Sequence, residues 1–139
     1  METMMAGELA GQRVLVVEDN YILATALAEC LENAGAEVIG PCPSVATTLA
    51  LLENAGRVDA AVLDVRLECE TSEPIAARVR EDGIPVLLMT GFDEGMLPAS
   101  LQGLPRCTKP FDTRTLVDAL QGIPQGEHAD ATGRAGSSG

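Results

Sequence analysis

The chain has 139 residues, of which 9 are Lys or Arg and 21 are Asp or Glu, so its formal net charge is −12. This length suits one domain. The acidic balance argues against direct binding to nucleic acid and against docking on anionic membranes. No apolar run approaches the ~20 residues of a membrane helix, and no signal peptide is visible. We therefore expect a cytoplasmic protein.

Both ends of the chain lack a periodic apolar pattern. Residues 1–11 and 122–139 are rich in Gly, Ala, Ser and polar residues, which predicts a flexible N-terminus and a flexible C-terminal tail. The folded unit is expected to be one domain over residues 12–121. A polar tail of this length leaves no room for a DNA-binding output domain, so a stand-alone domain is expected.

Short continuous apolar runs alternate with segments of helical spacing along the folded unit. Strands are predicted at about 13–17, 38–40, 59–64, 85–89 and 104–107. Helices are predicted at about 23–34, 45–56, 73–82, 93–101 and 113–120. Continuous apolar runs are typical of strands buried on both faces. The alternation therefore predicts an α/β fold with a doubly wound, five-stranded parallel sheet, flavodoxin-like, with strand order 2-1-3-4-5 and helices on both faces.

Polar side chains follow the carboxyl ends of four predicted strands. Glu18 and Asp19 follow the first strand, Asp64 ends the third, Thr90 ends the fourth and Lys109 follows the fifth. Such sheets place their sites at this edge. Clustered carboxylates repel each other unless a cation offsets the charge, and Mg²⁺ prefers carboxylates together with phosphate oxygens and water. A carboxylate nucleophile, a hydroxyl and a lysine beside a metal fit attack on phosphorus.

Each of these residues also has a purely structural interpretation when it is taken alone. Glu18 and Asp19 suit the first turn of a helix, where the helix dipole favours acids. Asp64 suits a turn, and Lys109 before a proline suits the surface. The combination, with one residue at the end of each of several buried strands, favours the functional interpretation.

Four segments carry a resemblance to a known family: VLVVEDN at 14–20, VLDV at 62–65, LLMTG at 87–91 and TKPF at 108–111. Together they resemble the response-regulator receiver domain of two-component signalling. The resemblance implies that Asp64 is the phosphoacceptor and that Glu18, Asp19 and Asp64 hold Mg²⁺. It also implies that the backbone carbonyl of Arg66 completes the protein ligands.

The resemblance assigns switch residues as well. Thr90 is the hydroxyl that turns toward the phosphoryl group, Lys109 pairs with that group, and the bond between Lys109 and Pro110 is usually cis in this family. The aromatic switch residue three positions before the lysine is replaced by Arg106, so the usual relay is not expected. Thr-Gly-Phe at 90–92 is similar to the Thr-Gly-Tyr-type motif of mostly stand-alone receivers.

The expected function is that of a phosphoprotein switch. A histidine kinase or a histidine phosphotransfer protein supplies the phosphoryl group, and a downstream protein partner reads a changed surface. That surface, and the face of a homodimer, is expected at the predicted helix 93–101, the fifth strand and the last helix. The receiver modifies itself and is not a turnover enzyme. Two alternatives stay open: a phosphohydrolase with an aspartyl nucleophile, and a degenerate receiver that only binds partners.

Overall fold

The structure, a computed structural model, describes residues 7–91 and 97–123. Its strands are β1 (Arg13–Val17), β2 (Glu37–Cys42), β3 (Ala60–Asp64), β4 (Arg66–Leu67), β5 (Glu70–Thr71), β6 (Val86–Thr90) and β7 (Arg106–Thr108). Five of them form a parallel sheet in the order β2-β1-β3-β6-β7. The predicted flavodoxin-like order is confirmed, with β6 and β7 as the fourth and fifth strands of the sheet.

The helices of the described residues are α1 (Tyr21–Asn33), α2 (Val45–Leu52), α3 (Glu73–Glu81), a 3-10 helix (Ala99–Leu101) and α4 (Thr113–Gly122). Side-chain caps begin three of them. Asn20, Ser44 and Asp112 each accept a hydrogen bond from a backbone N–H inside the first turn, which satisfies a donor that the helix itself leaves unpaired. No helix of residues 7–91 and 97–123 is long and apolar enough to cross a membrane.

The sheet is covered on both faces, so its strands are apolar on both sides. Successive residues of β1 alternate between two cores: Val14 and Val16 pack in the core with α1 and α4, and Leu15 and Val17 pack in the core with α2 and α3. Every residue of β3 is buried. This double burial is the physical reason for the continuous apolar runs.

Several predicted elements have other bounds in the structure: the fifth strand, predicted at 104–107, is β7 (Arg106–Thr108), and α1 begins at Tyr21. The second strand does not end before Pro41 but continues to Cys42, with a register shift against β1. Pro41 is tolerated there because β2 is an edge strand and needs no donor on its open side. The second helix ends at Leu52 rather than near Gly56.

The predicted short helix at 93–101 is described only in part, because residues 92–96, including Phe92 of the Thr-Gly-Phe motif, lie outside the described residues. The described part of this segment contains the 3-10 helix, in which Leu101 is fully buried.

The packed unit extends beyond the predicted limits at 12 and 121. Leu9 is predicted to lie in a flexible end, but its side chain is 4% exposed and its N–H donates to the carbonyl of Ala34 at 2.8 Å. At the other end, α4 continues to Gly122 and Ile123 is buried. Residues 1–6 and 124–139 lie outside the described residues, so flexibility there stays a prediction.

Candidate functional site

The four strand ends that the sequence singled out converge on one edge of the sheet. Glu18 directly follows β1, and Asp64 is the last residue of the adjacent β3. Thr90 is the last residue of β6, which pairs with β3, and Lys109 directly follows β7. Because the strands are parallel and in register, residues distant in sequence meet at this edge.

Three carboxylates form the centre of the site. One oxygen from each of Glu18, Asp19 and Asp64 lies within 4.8 Å of the other two. The side chains of Glu18 and Asp64 are nearly inaccessible, since these residues are 3% and 4% exposed. Carboxylates this close and this buried are costly to ionise together. The structure therefore contains the cluster of three carboxylates that the sequence predicted.

Lys109 supplies the positive charge of the cluster. Its Nζ donates a hydrogen bond to Glu18 Oε1 at 3.4 Å and forms an ion pair with Asp64 Oδ1 at 3.1 Å. The backbone fixes the lysine as well, because its N–H donates to the carbonyl of Thr90 at 2.8 Å. The bond between Lys109 and Pro110 is cis, as the sequence resemblance implied.

The charges of the cluster shift its pKa values. Burial, reinforced by repulsion from Glu18, raises the pKa of Asp64 to about 7, although attraction to Lys109 acts in the opposite direction. Burial acts to lower the pKa of Lys109, but attraction to Asp64 and Glu18 outweighs it, so that pKa is raised. The lysine stays protonated at neutral pH, and Asp64 is only partly ionised without a further cation.

The sequence did not identify Asn20 as part of this arrangement. Its backbone N–H donates to Glu18 Oε2 at 3.1 Å, and its side chain caps α1 through the N–H of Leu23 at 3.0 Å. Glu18 is thus held from two sides, by Asn20 and by Lys109. The signal in the sequence is that Asn20, a typical N-cap residue, directly follows the acidic pair and so places its backbone N–H next to Glu18.

The donor set fits a hard divalent cation. The contact that the described residues make to the buried Oδ1 of Asp64 is the ion pair with Lys109 Nζ at 3.1 Å, which is not a hydrogen bond of good geometry. One lysine pairs with Glu18 and Asp64 in a cluster of three carboxylates, so negative charge is in excess. Clustered carboxylate oxygens with uncompensated charge are what Mg²⁺ binds. Glu18, Asp19 and Asp64 are the residues that would hold it.

Of the other predicted site residues, Thr90 and Arg66 lie at the rim and Arg106 lies away from the site. Thr90 is 7% exposed at the end of β6. Arg66 begins β4, two residues after Asp64, and its side chain is exposed. Arg106 begins β7 opposite Leu88, is exposed, and makes no hydrogen bond or ion pair within residues 7–91 and 97–123. It lies at the far end of β7 from the acidic cluster, so the structure does not bring it into the site.

The family model for the response regulator receiver domain matches residues 14–121. The chain belongs to this family. The match covers all five strands of the main sheet except the first residue of β1. Receivers bind Mg²⁺ at an acidic pocket, and the buried Glu18 and Asp64 form such a pocket here with the half-buried Asp19.

Individual relatives agree with the assignment. The receiver is 30% identical over 115 residues to the "Uncharacterized transcriptional regulatory protein YbdJ" of Bacillus subtilis. The matched segment covers 78% of this chain and 49% of that protein. The chain thus spans about half the length of this relative. It is similar to the solution structure of SdrG from Sphingomonas melonis Fr1, with 32% identity, a TM-score of 0.70, and coverage of 79% of this chain and 93% of that one.

A crystal structure of a response regulator receiver protein from Sinorhizobium medicae WSM419 shares the fold. Its TM-score is 0.67 at 21% identity, over 82% of this chain and 94% of that chain. At this identity the likeness concerns the fold alone.

Proposed function

We propose that the receiver accepts a phosphoryl group from a histidine kinase or a histidine phosphotransfer protein onto Asp64, with Mg²⁺. The observation that carries this proposal is the buried carboxylate of Asp64, which lies in a cluster with two other carboxylates and has Lys109 Nζ 3.1 Å from its Oδ1. The carboxylate can act as the nucleophile, and the transferring phosphoryl oxygens need a fixed cation beside it.

The chemistry is a phosphoryl transfer. A carboxylate oxygen of Asp64 attacks the phosphorus of a phosphohistidine, the phosphorus–nitrogen bond breaks, and the imidazole leaves with the electron pair and takes up a proton. Glu18, Asp19 and Asp64, with the carbonyl of Arg66, would hold Mg²⁺, which would neutralise charge on the transferring oxygens. Water later attacks the acyl phosphate and releases inorganic phosphate, so the receiver modifies itself and is not a turnover enzyme.

Two side chains complete the proposed site. Lys109 neutralises a phosphoryl oxygen once it is released from its pairing with Asp64, because its positive charge is retained at neutral pH. Thr90 offers a hydroxyl at the end of β6, beside the end of β3. A hydroxyl that turns toward the phosphoryl group changes the packing at this edge of the sheet.

The phosphorylated site is proposed to alter a protein-binding surface formed by residues 97–101, β7 and α4. This surface is also the proposed face of a homodimer. Arg106 is exposed there, where the family usually has an aromatic switch. We propose that a downstream protein binds this surface and contacts the guanidinium of Arg106, instead of responding to the movement of an aromatic ring. The cytoplasmic location stays a prediction.

The alternatives predict different outcomes. An aspartyl phosphohydrolase carries its nucleophile after the first strand in an Asp-x-Asp pattern, whereas β1 is followed here by Glu18 and Asp19. Such an enzyme would release phosphate from a small substrate with multiple turnovers. A degenerate receiver would bind partners equally well with and without a phosphodonor.

The test is incubation of the chain with Mg²⁺ and either acetyl phosphate or a phosphorylated histidine kinase. Intact mass should show one phosphoryl group on the wild type and none on Asp64→Asn. Asp59→Asn is the matched control, since Asp59 directly precedes β3 at its other end. Phosphorylation of Asp64→Asn at the wild-type rate would exclude Asp64 as the acceptor. Absence of phosphorylation in the wild type with every donor would favour the degenerate receiver.

A further inference from the structure

The segment directly after Asp64 forms a hairpin that the sequence did not predict. Arg66 and Leu67 of β4 pair antiparallel with Thr71 and Glu70 of β5. The N–H of Ser72 closes the base of the hairpin by donating to the carbonyl of Val65 at 3.0 Å. The hairpin therefore starts two residues beyond the proposed acceptor, and Asp19 lines one cavity with it.

This hairpin has little stability of its own. It contains two residue pairs, and even longer isolated two-stranded hairpins are marginal in water. Its turn residues, Glu68 and Cys69, have negative φ, since no non-glycine residue of the described chain has positive φ. The favoured two-residue turns require positive φ. Contacts outside the hairpin must therefore hold it in place.

Besides the buried side chain of Leu67, two carboxylates make such contacts on opposite sides. Glu70 Oε2 accepts from the N–H of Val45 at 3.0 Å, at the start of α2, where an unpaired donor and the helix dipole both favour an anion. Glu73, the first residue of α3, accepts from the hydroxyl of Thr71 at 3.0 Å and from that of Ser100 at 2.5 Å. These two hydroxyl donors lower the pKa of Glu73.

The contacts of Glu70 and Glu73 hold β5, the strand that pairs with Arg66 and Leu67 of β4. Thr71, which donates to Glu73, is the residue paired with Arg66. Glu70 is paired with Leu67, whose side chain is 4% exposed in the core. Fixing β5 from both sides therefore fixes the backbone of Arg66 relative to Asp64.

We propose that Glu70 and Glu73 are positioning residues, which clamp the β4–β5 hairpin between α2 and the 3-10 helix and so hold the Arg66 carbonyl in place for Mg²⁺. This inference rests on the proposed Mg²⁺-dependent function. Neither carboxylate belongs to the acidic cluster of Glu18, Asp19 and Asp64. The clamp acts on Mg²⁺ affinity and not on the chemical step.

The test measures Mg²⁺ affinity of the full chain through the fluorescence of Tyr21. This is the sole tyrosine, the chain has no tryptophan, and its side chain lines a cavity with Glu18 and Asp19. Glu70→Ala and Glu73→Ala should each weaken Mg²⁺ binding by about fivefold. The control is Glu68→Ala, which removes the same charge from the same hairpin. Glu68 makes no hydrogen bond or ion pair to another described residue.

Two milder variants keep the test decisive if an alanine variant fails to fold. Ser100→Ala removes one donor to Glu73 without a change of charge, and should weaken Mg²⁺ binding by about threefold. Glu73→Gln keeps one acceptor oxygen, and its amide N–H can donate to the oxygen of the other hydroxyl, so it should recover part of the affinity lost in Glu73→Ala. Phosphorylation by acetyl phosphate should return to the wild-type rate at saturating Mg²⁺ in all of these variants, because the clamp acts on affinity.

The outcomes separate the inference from the proposed function. If the wild type neither binds Mg²⁺ nor is phosphorylated on Asp64, the proposed function and the clamp both fail. If the wild type does both and the Glu70, Glu73 and Ser100 variants bind Mg²⁺ as Glu68→Ala does, the clamp alone is overturned. A rate that stays low at saturating Mg²⁺ would also overturn it, because the residue would then act in the transfer itself.

Discussion

Both edges of the sheet carry clustered charges, but the two clusters are built in opposite ways. At the carboxyl edge, a cluster of three carboxylates has one lysine among the described residues, which pairs with Glu18 and Asp64, so negative charge is left in excess. At the amino edge, Asp59 accepts from the backbone of Arg13 at 2.8 Å and from the side chain of Arg57 at 3.1 Å.

The amino-edge arginines are satisfied as well. The guanidinium of Arg13 donates to the carbonyls of Ala55 and Arg57, and that of Arg57 donates to the carbonyl of Gly11. The charged groups and hydrogen-bond donors of the amino edge are paired within the protein, so this edge needs no ligand to compensate them. At the carboxyl edge, by contrast, the negative charge of the carboxylates is not fully compensated. Charge that the protein leaves uncompensated in a buried place marks the edge where a ligand belongs.

The largest expected effect is on phosphoryl transfer. Lys109→Met removes the sole cation in contact with the buried carboxylates among the described residues, and the rate of Asp64 phosphorylation should fall by roughly 100-fold. The measurement is the initial rate with acetyl phosphate and saturating Mg²⁺. Arg57→Met, at the amino edge, should leave that rate unchanged. Equal losses in the two variants would remove the functional distinction between the edges.

Stability should respond with opposite signs at the two edges. In metal-free buffer at pH 8, Asp64→Asn should raise the free energy of unfolding by about 2 kcal/mol, because it removes a costly buried charge while Lys109 keeps Glu18 as a partner. Asp59→Ala should lower it by about 1 kcal/mol through lost hydrogen bonds. Urea unfolding with EDTA measures both. A destabilised Asp64→Asn would contradict the interpretation of the carboxyl edge.

The pH dependence separates the edges further. The folded-state pKa of Asp64 is raised to about 7 from an ordinary value of 3.8, so its contribution to metal-free stability is fully present below pH ~4 and is lost as the pH rises through ~7. Mg²⁺ needs the ionised form, so its apparent affinity should be roughly tenfold higher at pH 8 than at pH 6. Thermal unfolding with and without Mg²⁺ checks this. A shift that is independent of pH in the wild type would be inconsistent with it.

The smallest effect is expected at an exposed pair of the amino edge. Arg13 Nε lies 3.4 Å from Glu37 Oε1, and the side chain of Glu37 is 66% exposed. Glu37→Gln should change the free energy of unfolding by less than about 0.5 kcal/mol, because solvent screens the pair. Urea unfolding is again the measurement, with Asp59→Ala as the larger reference. A loss as large as that of Asp59→Ala would mean that the exposed pair is coupled to the buried contacts.

The elements that the sequence predicted well are those whose pattern depends on burial alone. The continuous run at 13–17 and the run ending at Asp64 predicted β1 and β3 because both faces of the sheet are covered. Ser44 and Asp112 predicted two helix starts, since a capping side chain acts locally. The hairpin at 66–71 was missed because its composition and turn give no local signal, and the contacts that hold it come from the core and from distant segments of the chain.

The sequence by itself determined the order of the elements and the arrival of Glu18, Asp64, Thr90 and Lys109 at one edge, because alternation of buried strands and helices admits few topologies. Only the tertiary structure decided how close the carboxylates lie, which of them Lys109 contacts, and that Asp64 is buried enough to raise its pKa. These quantities depend on distances of a few ångströms and on exclusion of water. Both are set by packing between residues far apart in the chain, which no local pattern records.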